Sequence, residues 1–168
     1  MRVTEKCVIS DCGKYRYWLK RTIPAYEVKP IVFIMLNPST ADGETDDPTI
    51  RRCIDFATRW GGSELIVVNL FAYRATDPSV LKEDATIDPV GELNDNAIAL
   101  AVDYALSSNG IVVAAWGEHG KFMDRAETVL GQLGNLPVYC LKKNKSGSPA
   151  HPLYQKRDTV LEIYNGTS

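Results

Sequence analysis

Residues 30–53 read PIVFIMLNPSTADGETDDPTIRRC, and the order of chemistry along this stretch decides the fold. Pro30 to Leu36 form a continuous apolar run with no polar alternation, the pattern of a central parallel strand covered on both faces. At Asn37 and Pro38 the chain turns, then passes through small and acidic residues as far as Asp47. Asp47 before Pro48 has the chemistry of an N-cap followed by a first-turn proline, which opens an amphipathic helix through TIRRCIDFATRW to Gly61. Strand, polar loop and helix in this order begin a βα alternation.

The alternation continues on the C-terminal side. ELIVVNLFAY (64–73) and GIVVAAWG (110–117) read as further central strands, with a helix over NDNAIALAVDYAL (94–106) between them. GKFMDRAETVLGQL (120–133) reads as a helix, LPVYCL (136–141) as the last strand and YQKRDTVLEIY (154–164) as a closing helix. On the N-terminal side, EKCVIS (5–10) and KYRYWLKRTI (14–23) flank a turn and read as a β-hairpin. The fold class expected is α/β: a three-layer α/β/α sandwich with a mostly parallel central sheet, right-handed crossovers and an antiparallel edge from the hairpin. A single domain over 1–168 is expected, with 1–29 as hairpin and lead-in and 30–168 as the α/β core. Residues 75–93 form a long connection with two Asp-Pro turns, a length typical of a lid.

Composition bounds the function. A chain of 168 residues, 45% hydrophobic, is long enough for one core. Its formal charge of −2, with Lys and Arg dispersed, excludes coating of nucleic acid by bulk electrostatics. Cys7, Cys12, Cys53 and Cys140 show no zinc spacing and read as reduced structural thiols. With no long apolar segment, a cytoplasmic protein without membrane contact is expected.

On this frame the unusual polar residues gather at one edge. Asn37, Pro38 and Ser39, then Asn69 to Arg74, then Trp116 to His119, then Lys142 to His151 each follow the carboxyl end of a strand, where open α/β sheets bind ligands. Asn69 inside VVNLF is the sharpest anomaly, because a buried amide must tie loops together or read a ligand. Asn37 either builds a turn or faces the site, and His151, held extended by Pro152, is either a site or a surface residue. Asp42 and Asp46 suit side-chain turns as well as ligand contact, and Asp47 suits a helix cap. His119 is a lesser candidate, Trp116 reads as core, and Arg51 or Arg52 suits pairing with the acidic loop.

The motifs MLNPSTADGETDDPTIRRC, WGG, VVNLFAYRATDP, WG and KSGSPAHPLY together resemble an uncharacterised family of bacterial and viral proteins. Their order is also similar to the uracil-DNA glycosylase superfamily, in which a GINPG-like loop, a strand with a base-reading Asn, a turn after a third strand and an HPS loop surround an extruded nucleotide. The corresponding stretches here are MLNPS, VVNLFAYRATDP, AAWG and AHPLY. That resemblance implies a glycosylase-like fold and an N-glycosidase acting on a base in DNA or a nucleotide, with no cofactor and no metal.

Under the resemblance, Asn37 orients a water behind C1′ where the most active relatives carry Asp. His151 hydrogen-bonds the departing carbonyl oxygen, and Asn69 reads the Watson–Crick edge of the base. Asn37 and His151 are then candidate catalytic residues, and Asp42 of the acidic loop is counted with them as a residue that contacts ligand. Pro38, Ser39, Thr40, Asn69, Phe71, Tyr73, Arg74, Lys145 and Ser148 are the candidate substrate-binding residues, with Phe71 or Tyr73 stacking on a base and the basic KKNKSG segment holding phosphate. The expected partner is a nucleobase, a nucleotide or a short single-stranded or flipped DNA. The sequence departs from the superfamily in Leu153, which replaces the HPS serine, and in the acidic loop ADGETDD, which repels phosphate. Two alternatives stand beside the glycosidase: a non-catalytic nucleotide- or partner-binding protein, and a phosphohydrolase using Asp42, Asp46 and Asp47 as metal ligands.

Overall fold

The structure is a computed structural model and describes residues 1–83 and 85–165. In chain order its elements are β1 (Cys7–Ile9), β2 (Arg16–Thr22), β3 (Pro30–Met35), α1 (Pro48–Arg59), β4 (Glu64–Asn69), α2 (Val80–Glu83), α3 (Asn94–Ser107), β5 (Ile111–Ala114), α4 (Arg125–Leu133), β6 (Val138–Cys140) and β7 (Glu162–Asn165). All seven strands join one sheet in the order β1-β2-β4-β3-β5-β6-β7. The centre, β4-β3-β5-β6, is parallel, and β1/β2, β2/β4 and β6/β7 pair antiparallel. The sheet is therefore mixed, with its parallel part confined to the middle.

Every residue of β3 is buried, as a strand at the centre of the sheet requires. Its side chains alternate between two cores. Val32 and Ile34 join Ile66, Val68 and Val112 beneath Ile98, Ala101 and Val102 of α3 and Val129 of α4. Ile31, Phe33 and Met35 join Leu65 and Val67 beneath Ile50, Cys53 and Phe56 of α1. Each fully buried large side chain contributes about 1.5–3 kcal/mol, so helices are held on both faces of the sheet. Asp47 caps α1 as expected, with its Oδ1 accepting from Ile50 N–H at 2.8 Å. The helix stops at Gly61, whose φ of 71° is one that a residue with a Cβ rarely adopts.

Two helices expected from the sequence are absent or shortened. Residues 154–164 are not helical: Pro152–Tyr154 make one 3₁₀ turn, and Glu162–Asn165 pair with β6 as β7, covering an edge that would otherwise stand open. The helix expected over 120–133 begins at Arg125. Gly117–Asp124 is a 3₁₀ stretch broken by a kink, with φ of 54° at Met123 and 50° at Asp124. The kink places Arg125, which donates Nε–H to the Leu70 carbonyl at 2.7 Å and pairs with Asp95. The strand expected over 64–73 ends at Asn69, although Leu70 and Phe71 still donate to the Met35 and Leu36 carbonyls. All four cysteines are free thiols, and no helix among the described residues is long and apolar enough to cross a membrane.

Candidate functional site

Strand β3 is where the topology reverses: the chain leaves it through α1 to β4 on one side, then crosses back through α3 to β5 on the other. The carboxyl ends of β3 and β5 therefore diverge, and open α/β sheets bind ligands at such a crevice. A cavity of about 600 Å³ opens there. Its walls come from Met35 to Asn37 after β3, Asn69 ending β4, Trp116 to His119 after β5, and Ala150 and His151 beyond β6. Ala75, Thr76 and Pro78 of the long connection close one side. This volume lies within the roughly 300–1,000 Å³ of pockets that enclose small ligands.

Asn69 is 2% exposed, and its Oδ1 is buried without a hydrogen-bond partner among the described residues. Its backbone is held rigidly, since Asn94 Nδ2 donates to both the Asn69 and Leu70 carbonyls at 2.9 Å, and Arg125 also binds Leu70. A buried, unsatisfied amide costs about 1–3 kcal/mol. Asn69 thus sets an amide with an unsatisfied acceptor at the wall of the cavity, on a fixed strand end.

Asn37 joins two loops. Its Nδ2 donates to the Pro38 carbonyl at 3.1 Å and the Ala75 carbonyl at 2.8 Å, while Ala75 N–H donates back to Pro38. Both neighbours are acceptors, which fixes the orientation of the amide and leaves Oδ1, an acceptor, for the cavity that Asn37 lines.

His151 is half-buried in the same cavity. Leu153 N–H donates to its Nδ1 at 3.3 Å, so the ring carries its proton on Nε2 and offers a donor there. Desolvation lowers its pKa, opposed by the carboxylate of Asp47, so the ring is neutral near pH 7. Its position derives from the hairpin of residues 142–150, closed by Asn144 N–H to Ser148 O and Ala150 N–H to Lys142 O. Glu162 of β7 supports that hairpin, its Oε1 accepting from Lys143 N–H at 2.7 Å. Burial and Glu162 together push the Cys140 thiol up to about 12, which leaves it inert.

Sequence reading missed Arg16. It lines the cavity, is 2% exposed, and among the described residues its side chain makes one hydrogen bond, Nη1 to the Ala41 carbonyl at 2.8 Å, with Nε buried and unpartnered. Burial lowers its pKa to about 10, so it remains a cation. In KYRYWLK a charge alternating with aromatics reads as the solvent face of a hairpin. Tyr154, 81% exposed at the cavity mouth with its ring centroid 5.7 Å from that of His151, was also missed.

Of the expected site residues, Asn37, Ser39, Asn69 and His151 line one cavity. Ser39, Thr40, Tyr73 and Arg74 line a second, shallower depression beside it. The remainder lie elsewhere. Phe71 is wholly buried against Phe122 and has no face for a base. Pro38 is buried under the loop clasp, and Ser148 is buried within its hairpin, whose Lys145 points to solvent. Asp42 Oδ1 closes a turn by accepting from Glu44 and Thr45 N–H at 2.9 and 2.8 Å, which lowers its pKa. Asp46 pairs with Arg21 at 2.7 Å, and Asp47 caps α1. The three carboxylates of the phosphohydrolase alternative thus serve three separate structural tasks, and no three potential metal ligands cluster among the described residues.

With this geometry in place, residues 16–153 match a family model described as Protein of unknown function (DUF1643). The chain belongs to that family. Neither curated proteins nor solved structures give a match. The DUF1643 match begins at Arg16 and ends at Leu153, so it includes every residue lining the cavity of about 600 Å³ except Tyr154 and Gln155.

Proposed function

We propose that this DUF1643 chain recognises a nucleobase and hydrolyses its N-glycosidic bond. The observation that carries the reading is the unpartnered Oδ1 of Asn69, a residue fixed at the end of β4 that lines the switch-point cavity. A carboxamide with one free acceptor and one NH₂ matches the donor–acceptor pattern of a base edge. The resemblance of the motif order to that of the uracil-DNA glycosylase superfamily supports the same reading.

The chemistry then follows from the neighbours. Asn37 Oδ1 accepts from a water and aims it at C1′. The C1′–N bond breaks with its electron pair moving to the base, water oxygen bonds to C1′, and the released proton neutralises the departing base. His151 Nε2–H donates to the base carbonyl on which negative charge collects, and a neutral imidazole suffices for that. Trp116 and Tyr154 supply aromatic surface to the cavity. A chamber of this size admits a free nucleotide or one base extruded from a strand, but not a stacked duplex.

A second reading, non-catalytic binding on the same fold, is favoured by one feature: the position facing the water carries an amide, which cannot take a proton. Mass spectrometry of free base separates the two. Wild type should release base from one member of a panel of nucleotides and modified oligonucleotides, with or without chelator, and Asn37→Ala should not. Silence across the panel, together with thermal stabilisation by one of its members, would replace the glycosidase with a binder.

A further inference from the structure

Two arginines are buried in this protein, and they differ in one respect. Arg125 forms an ion pair with Asp95 and binds the Leu70 carbonyl. Arg16, equally buried, has no carboxylate partner among the described residues and leaves Nε without an acceptor. Removing a charge from water without pairing it costs several kcal/mol. The strand could have carried an apolar residue, as its neighbours Tyr17, Trp18 and Leu19 do. An unpaired buried guanidinium at the wall of a cavity is a site for an anion, and its planar fork suits an oxyanion that accepts two hydrogen bonds.

We infer that Arg16 holds a phosphate group of the ligand, so that the substrate is a phosphate ester and not a free base or nucleoside. This rests on the nucleobase reading of Asn69, and adds the second point of attachment. The charges around Arg16 bear on it directly. Arg21 is neutralised by Asp46, Arg74 lies over the adjoining depression with its own Nε unpartnered, and Asp47 is felt at longer range while its Oδ1 caps α1. Asp42 and Asp46 of the acidic loop are thus engaged by backbone N–H groups and by Arg21, and Asp47, which caps α1, is the carboxylate of that loop that lines the cavity with Arg16. A mononucleotide and a nucleotide within a strand share this chemistry.

The test uses the full chain and does not depend on knowing the base. Thermal stability is titrated with inorganic phosphate at constant ionic strength, for wild type and Arg16→Gln. Wild type should be stabilised saturably, and the variant should bind phosphate about 10- to 100-fold more weakly, the loss of one or two charge-assisted hydrogen bonds. Calorimetry then compares deoxynucleosides, their 5′-monophosphates and a single-stranded trinucleotide. The phosphorylated forms should bind more tightly by a similar factor, and whichever of the two is tighter identifies the source. Arg16→Lys should retain part of the preference. If the variants do not fold, phosphate soaked into wild-type crystals must be found on Arg16.

Phosphate stabilisation that is absent, or that survives in Arg16→Gln, overturns the inference. The two readings fail separately. Arg16-dependent phosphate binding without base release would overturn only the glycosidase. Equal base release from nucleosides and nucleotides, indifferent to Arg16→Gln, would overturn only the phosphate site.

Discussion

Replacing Asn69 with Leu should make the empty protein more stable and abolish ligand binding. The side chain is close in size to Leu, is 2% exposed, and keeps a buried Oδ1 with no partner. Removing an unsatisfied carbonyl of this kind returns about 1–3 kcal/mol. For a domain of this length each kcal/mol moves Tm by roughly 2–4 °C, so a rise of roughly 2–12 °C is expected. Asn94 provides the control. It is also buried and also has an unpartnered Oδ1, but its Nδ2 serves two backbone carbonyls at 2.9 Å. Asn94→Leu should therefore lower Tm by a comparable amount, because it strands the Asn69 carbonyl. Differential scanning calorimetry on the two variants, alone and with the best-bound nucleotide, reads both signs and the ligand shift. If Asn69→Leu lowers Tm, or if the ligand still stabilises it, the amide is structural and the argument for base recognition fails.

Other outcomes follow from the same geometry. Asn37→Asp should destabilise the protein by about 1–3 kcal/mol at neutral pH, because a carboxylate would face two carbonyls that now accept hydrogen bonds; denaturant melts at pH 7 and pH 4 would show the penalty shrinking as the acid protonates. Above the ordinary histidine value of about 6.5, His151 is neutral in both folded and unfolded chains. As pH falls below it the unfolded chain binds the proton first, so stability should decline from there toward the lowered value of the folded state; a His151→Gln stability profile that keeps the same acid limb would exclude His151 as its source. Phe71→Ala should cost about 3–5 kcal/mol by opening a cavity beside Phe122 while the remaining folded protein binds ligand normally, whereas Tyr154→Ala should leave Tm unchanged and weaken binding; the reverse pattern would return the stacking role to Phe71.

The fold was legible where local and tertiary signals agreed. The apolar run of β3 could only be buried on both faces, and Asp47-Pro48 marked the start of α1 because a cap and a fixed φ need no tertiary help. β7 was misread because VLEIY is too short to separate a helical from an alternating pattern, and only the open edge of β6 decides between them. The start of α4 depended on Arg125 reaching Leu70, a contact between residues 55 apart in the chain. At the site, Asn69 stood out because an amide is costly inside a strand. Phe71 did not share its face, since the regular strand ends at Asn69 and two-residue alternation no longer applies beyond it. Arg16 was hidden by the opposite convention, that a charge in a hairpin points to water, which fails where a cavity reaches the strand.

The support that Glu162 gives the 142–150 hairpin changes how a mutational screen of this protein would read. Glu162 lines neither cavity, yet its carboxylate holds the Lys143 amide of the hairpin that leads into His151. In a library scored for activity, substitutions at this edge-strand position should appear among the damaging ones and tempt an observer to draw a remote regulatory site. They would instead report a strut: the imidazole is aimed by a strand on the far margin of the sheet, and loosening that strand blurs the aim while every residue that lines the cavity is still present.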